Sequence, residues 1–373
     1  MPARFTLGVE EEFQLVSRQT GQLCSCADKI IEKGRKYFGE KIKPEMTQST
    51  IEIASAICPD IAGVRKELYA LRPQLVQLLA EEGLVPIRAG THPVGRWQDQ
   101  QRTDGARFIA LEEEEQDVGR SLIIFGLHIH VGVENKELAV TLMNQARMWL
   151  PHLLALSSNS PFWIGRCTGV KSYRSVVWKR CHRSGLPEIF PNWEDFNRYV
   201  QTLIEMGCID NGRRLWWDVR PHPFFNTLEF RICDMPATIE DSIALTALCQ
   251  ALIAKLAWLH QRGIRAHALP RSYIDENKWR AMRYGLDARV VDFVNHRMLS
   301  MRDSIHELLD FVQDTVDDLG SHKEMTYLRA LLDDPRGTGA DRQVAVYRQT
   351  GDVQKVIEFL MEQSLQGIVP GAA

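Results

Sequence analysis

The stretch FTLGVEEEFQL, residues 5–15, has the alternation of a β-strand and carries three consecutive glutamates. Successive side chains of an extended chain point to opposite faces. Phe5, Leu7, Val9, Phe13 and Leu15 therefore share one side, and Thr6, Gly8, Glu10, Glu12 and Gln14 share the other. Only Glu11 falls among the apolar positions. Glu10 and Glu12 project together, roughly 6.5–7 Å apart along the strand. Carboxylates that close repel unless water or a cation lies between them. A solvated sheet face would tolerate such a pair; a metal site would require it.

The same pattern recurs along the first two thirds of the chain. Strands are expected at 4–16, 49–54, 84–89, 121–133, 215–220 and 227–234, each apolar at every second place. In FGLHIHVGV (125–133), Leu127, Ile129, Val131 and Val133 share one face and His128 and His130 the other. In TLEFRICD (227–234), Leu228, Phe230 and Ile232 form the apolar set, opposed by Thr227, Glu229, Arg231 and Cys233. Asp218 and Arg220 alternate with Trp217 and Val219. Glu52 opposes Ile51 and Ile53, with Glu45 just upstream.

Joined in one sheet, these strands would collect Glu10, Glu12, Glu45, Glu52, His128, His130, Arg220, Glu229 and Arg231 on one surface. No lysine stands at these positions. Oxygen ligands with an occasional imidazole suit hard divalent ions, magnesium or manganese. His128-Ile-His130 alone also permits zinc, but five acids beside two histidines favour the harder ions.

Helical spacing separates several strands and dominates after Pro236. Helices are expected at 60–83, with a kink at Pro73, from Asn135 as N-cap through Leu153, and at 193–206 behind Asn192. Further amphipathic helices are expected at 239–262, 273–285, 290–317, 322–333 and 350–364. The class is thus α+β with a largely antiparallel sheet. No low-complexity linker marks a boundary, so residues 1–373 are expected to form a single catalytic domain. Its sheet-bearing part is 1–236, and 237–373 is a mainly helical part packed on it.

Between Gly165 and Pro187 stand Arg166, Lys171, Arg174, Lys179, Arg180, Arg183 and His182, with no acid. Beside an acidic metal site, a basic flap of this kind suits a polyphosphate or carboxylate substrate. Arg174, Lys179 and Arg180, together with Arg220 and His130, are the expected contacts to substrate or nucleotide.

The bulk properties exclude several classes. A net charge of -3 on 373 residues gives no support for nucleic-acid or membrane-surface binding. Eight scattered cysteines without a C-x-x-C pair read as reduced thiols of a cytoplasmic protein. The N-terminus lacks a signal-peptide pattern, and the apolar run 244–259 carries Lys255, which favours a buried helix. Phosphate-loop, dinucleotide-binding, nucleophile-elbow and H-E-x-x-H motifs are absent.

Seven motifs occur together in order: GVEEE (8–12), PEMTQSTIE (44–52), AGTHP (89–93), GLHIHVG (126–132), YRSVVWKR (173–180), WDVRPH (217–222) and TLEFRICD (227–234). With them the chain resembles the type 2 glutamate–cysteine ligase family of carboxylate–amine ligases. The resemblance implies a glutamine-synthetase-like fold, a curved antiparallel sheet forming a funnel backed by helices. It implies ATP-dependent joining of a carboxylate, typically glutamate, to an amine such as cysteine, all small-molecule partners, and it leaves room for a homo-oligomer. It further implies Glu10, Glu12, Glu45, Glu52, His128 and Glu229 as magnesium or manganese ligands. Arg231 is implied to steady the transferring phosphoryl group, with Glu10 and Glu229 at the catalytic centre. Two competing readings are a metal-dependent hydrolase built on His128 and His130, and a nucleotide or amino-acid sensor without turnover.

Overall fold

A computed structural model describes residues 5–264 and 268–368; Arg4, the first residue of the expected 4–16 strand, lies outside them. Seven strands form the main sheet: β1 (Leu7–Ser17), β2 (Ile42–Pro44), β3 (Thr50–Ala54), β4 (Leu84–Ile87), β5 (Gly126–Gly132), β6 (Val219–Pro221) and β7 (Thr227–Asp234). Their order is β6-β7-β5-β1-β3-β2, with β4 also paired to β1, and every pairing is antiparallel. β1 is central because it is the longest, at eleven residues, long enough to pair with β5, β3 and β4 in turn.

The apolar faces of these strands do what their alternation requires. Leu7, Val9, Leu127, Ile129, Val131, Leu228 and Phe230 pack in one core with helices Lys136–Ala146, Leu150–Ser157 and Ile239–Gln261. Phe13, Leu15, Ile51 and Ile53 pack in a second with helices Ala27–Phe38 and Ile61–Ala80. Helix Ile239–Gln261 is long and apolar enough to cross a membrane, but 83% of that window is buried inside the protein. It is capped by Thr238 and Asp241 in a reciprocal capping box.

Glu11 faces the core, as its place in the alternation demands, and is fully buried. Arg72 of helix Ile61–Ala80 donates to it through Nε (2.8 Å) and Nη2, and Ser242 Oγ donates at 2.8 Å. The middle glutamate of the triplet thus ties β1 to two helices.

Asn135 and Asn192 cap their helices as expected, accepting from Leu138 N and Asp195 N. Pro73 is accommodated inside a continuous helix. Two expectations are corrected. The 290–317 segment opens as a hairpin, Arg289–Asp292 with Arg297–Ser300, before helices at Met301–Phe311 and Gln313–Leu319. His296 at its turn adopts φ 51°. A helix at Gly339–Thr350 precedes the expected last one.

Candidate active site

The polar face of the sheet is built by register. Glu12 stands opposite Glu52, Glu10 opposite His128, His130 opposite Glu229, and Glu229 opposite Arg220. Neighbouring strands lie about 4.8 Å apart, so these cross-strand rows bring side-chain ends within reach of a shared ion. Oxygens and nitrogens of Glu10, His128 and Glu229 converge within 4.8 Å of one another, and so do those of Glu12, Glu52 and His128. His128 belongs to both groups. Its Nδ1 lies 3.4 Å from Glu10 Oε2 and its Nε2 3.8 Å from Glu12 Oε1.

These groups open into a cavity of about 350 Å³ that also exposes Glu45, Arg220, Arg231, Arg107, Trp178, Trp216 and Phe225. The acids differ in electrostatic balance. Burial opposes ionisation of Glu229, but the Arg220 and Arg231 guanidinium groups hold its carboxyl well below the usual range. Arg220 Nε donates to Glu229 Oε2 at 2.9 Å. Burial likewise opposes Glu10, and the neighbouring His128 and His130 imidazoles bring it well below the usual value. Glu45 moves the other way. Burial, then the charges of Glu12 and Glu52, push it up to about 8. Burial and the charge of Glu10 push Glu52 up to about 7. Such a cluster is short of positive charge. Its donors are nearly all carboxylate oxygens with one imidazole, which fits magnesium or manganese.

His130 takes no part in either group of three. Its Nδ1 lies 3.0 Å from Thr227 Oγ1 and its Nε2 3.7 Å from Glu10 Oε1. One zinc ion held by both rings is therefore not the arrangement the site offers.

The basic segment is packed into the fold in this structure. Residues Tyr173–Trp178 form a short helix, and Ser172, Arg174, Ser175, Val177, Cys181 and Leu186 are buried. Ser172 Oγ donates to Asp234 at 2.7 Å. Arg174 reaches the cavity wall, but its guanidinium is engaged with backbone, donating to Ile232 O (3.3 Å) and Arg231 O (3.1 Å). Lys179 and Arg180 are exposed and do not line the cavity. Their side chains sit just past the helix end, where the chain has turned outward.

A second correction concerns Cys233. A bulge between Phe230 and Cys233 shifts the pairing of β7 with β5, so Arg231 and Ile232 together oppose His128. The faces invert after it: Cys233 enters the core and Asp234 takes the opposite side. The bulge leaves carbonyls outside the regular ladder, and Arg174 satisfies two of them. Its guanidinium lies against Gly126, where an added Cβ would stand 2.3 Å from Arg174 Nη2. Gly126 N in turn donates to Glu12.

Sequence reading missed Lys43. On β2 it stands opposite Glu52, donates to Glu52 Oε1 at 2.8 Å and lies 3.5 Å from Glu10 Oε1. The signal was available in the parity of Lys43 with Glu45.

The family model described as "Glutamate-cysteine ligase family 2" matches residues 6–359. The chain belongs to this family. A protein of Solibacter usitatus named "Putative glutamate--cysteine ligase 2" is 44% identical over 364 residues, 97% of this chain and 94% of the relative. One of the same name from Sorangium cellulosum is 45% identical over 99% and 98% of the two chains. Among solved structures, glutamate–cysteine ligase from Francisella tularensis in complex with AMP superposes with a TM-score of 0.73. That match is at 13% identity and covers 100% of this chain and 91% of that one. A bifunctional glutathione synthetase from Pasteurella multocida gives 0.69 at 14% identity, covering 97% of this chain and 53% of that one. The fold is shared with these proteins, and family membership makes the chain an enzyme of the C–N-bond-forming ligase class.

Proposed function

We propose that this protein is an ATP-dependent carboxylate–amine ligase that activates glutamate, or a similar carboxylate, and joins it to an amine such as cysteine. The observation that carries the reading is the pair of carboxylate-rich groups sharing His128, flanked by Arg220 and Arg231, in one cavity. AMP in the Francisella structure supports an adenine nucleotide as co-substrate. Helix Ile239–Gln261, packed on the sheet, supports treating the whole chain as one catalytic domain. ATP use and eight unpaired thiols fit a cytoplasmic setting.

A carboxylate resists attack by an amine because oxide would have to leave. In the proposed reaction a carboxylate oxygen attacks the γ-phosphorus of ATP, releasing ADP and forming an acyl phosphate. The amine nitrogen then attacks the acyl carbon, phosphate departs, and the nitrogen loses its proton. Glu10, Glu12, Glu52, His128 and Glu229, with Glu45 beside them, would hold magnesium or manganese. Held there, such an ion would supply positive charge to neutralise the phosphates. Arg231, held by Glu229, offers a planar fork to the equatorial oxygens of the phosphoryl group in flight.

The test is ADP release from ATP by the purified protein with magnesium, glutamate and a panel of amines. Amine-dependent release that EDTA abolishes and magnesium or manganese restores supports the reading. Turnover that needs no nucleotide, or that returns only with zinc, overturns it.

A further inference from the structure

Among the described residues lining the cavity, Lys43 contributes an ammonium group with no role assigned above. Lys43 lies on an edge strand, and its side chain is 43% exposed. It nonetheless turns inward, joining one carboxylate from each group of three: Glu52 Oε1 at 2.8 Å and Glu10 Oε1 at 3.5 Å.

The positive charge around these acids is unevenly distributed. Glu229 has two guanidinium partners, Arg220 and Arg231. Glu12, Glu52 and Glu45 have no arginine in ion-pair contact among the described residues, and Lys43 is the sole lysine paired there. The ammonium therefore sits where the carboxylates most need a cation. It competes with a divalent ion for the same carboxylate oxygens, and like charges a few ångströms apart repel. The half-exposed, flexible stem gives it a way out to solvent.

We propose that Lys43 is a resident counter-cation of the metal site, holding the Glu10–Glu52 gap in the free protein and swinging outward when a divalent ion enters. This rests on the reading of the acids as metal ligands. Metal binding then includes the displacement of Lys43, which weakens observed affinity relative to the intrinsic affinity of the donors. The affected ion is the one held by Glu12, Glu52 and His128, since the Glu229 side is balanced by arginines.

Calorimetric titration with manganese chloride alone tests this, without nucleotide and without turnover. Lys43→Gln is expected to bind manganese at least tenfold more tightly than the natural protein. Lys43→Arg, which retains the charge, is expected to stay within about threefold of it. A melting curve in EDTA reports folding independently, and Lys43→Met serves as the second neutral variant if Lys43→Gln folds poorly. Unchanged or weaker binding by the folded neutral variants overturns the proposal while leaving the metal site intact. If the natural protein takes up no manganese at millimolar concentration, both the proposal and the metal reading fall.

Discussion

Glu10 and Glu11 are neighbours in the chain, and their replacement by glutamine is expected to produce opposite phenotypes. Glu11→Gln removes the charge facing Arg72, whose side chain is 2% exposed. Breaking a buried ion pair from one side costs about 3–5 kcal/mol, because the remaining charge is left unpaired in the core. Unfolding entropy near the midpoint is about 2.1 cal/mol/K per residue, so the 373-residue chain has about 0.8 kcal/mol/K. The melting temperature should therefore fall by about 4–6 °C. Replacing both partners, Glu11→Leu with Arg72→Met, should recover most of that loss. Glu10→Gln changes a group on the open face. Its melting point in EDTA should fall by less than that of Glu11→Gln. It should lose the rise that manganese confers on a folded state that binds it, about 2.7 kcal/mol at a hundredfold excess over Kd, or about 3 °C here. Scanning calorimetry of the three variants with and without manganese reads all of these values. A Glu11→Gln protein that melts normally, or a Glu10→Gln protein that melts as low as Glu11→Gln in EDTA, would refute the division of β1 into core and site faces.

Arg231→Lys keeps one positive charge but not the fork, and should lower kcat by roughly 10²-fold with little change in KM for ATP; loss of melting temperature with normal turnover per folded molecule would reassign Arg231 to the scaffold. Arg174→Lys should leave one of the two bulge carbonyls unsatisfied, costing about 1–3 kcal/mol and lowering kcat through displaced Arg231, whereas loss of stability alone would limit Arg174 to packing. His92 accepts from Gly95 N at 2.9 Å, and its Nε2 lies 2.8 Å from Gly21 O, so the buried ring is satisfied only when neutral. Burial lowers it to about 4, and its unfolded value is about 6.5. Between those values only the unfolded chain takes the proton, so stability should fall by up to about 3 kcal/mol as pH drops from 6.5 to 4 and level off below. In His92→Gln, urea midpoints across that range should show a slope smaller by up to about 1.4 kcal/mol per pH unit; an unchanged slope would mean the ring is not held neutral.

The sheet was legible because alternation is a local property. β1, β3, β5 and β7 each display an apolar face that could only be buried, and the polar face follows from parity alone. Glu11 shows how far this extends: it falls at an apolar parity position and is buried, but its partners Arg72 and Ser242 come from distant helices and leave no trace near it. The hairpin at 289–300 was lost because its four-residue strands are too short to establish a period against the strong helical signal that follows. The packing of the basic segment was not legible for another reason. Charge composition reports which groups are present, and the hydroxyls of Ser172 and Ser175, which anchor the segment beneath the site, carry no pattern.

The bulge in β7 shows why the inner part of this site escapes pattern reading. Strict alternation placed Glu229, Arg231 and Cys233 on one face, yet one extra residue sends Cys233 into the core and turns Asp234 the other way. The distortion requires three separate accommodations. Arg174 supplies hydrogen bonds to the displaced carbonyls, Gly126 leaves room for that guanidinium, and Asp234 accepts from Ser160, Ser172 and Asn159 to fix the segment carrying Arg174. Each residue is unremarkable by itself, and nothing in the sequence around Arg174 announces its hydrogen bonds to the bulge. Together they aim Arg231 at the carboxylates from a strand that an unbroken ladder would have left regular. Local rules fail here because the geometry is set by contacts between segments some fifty to a hundred residues apart, and a site that must hold repelling charges together is where such contacts are most needed.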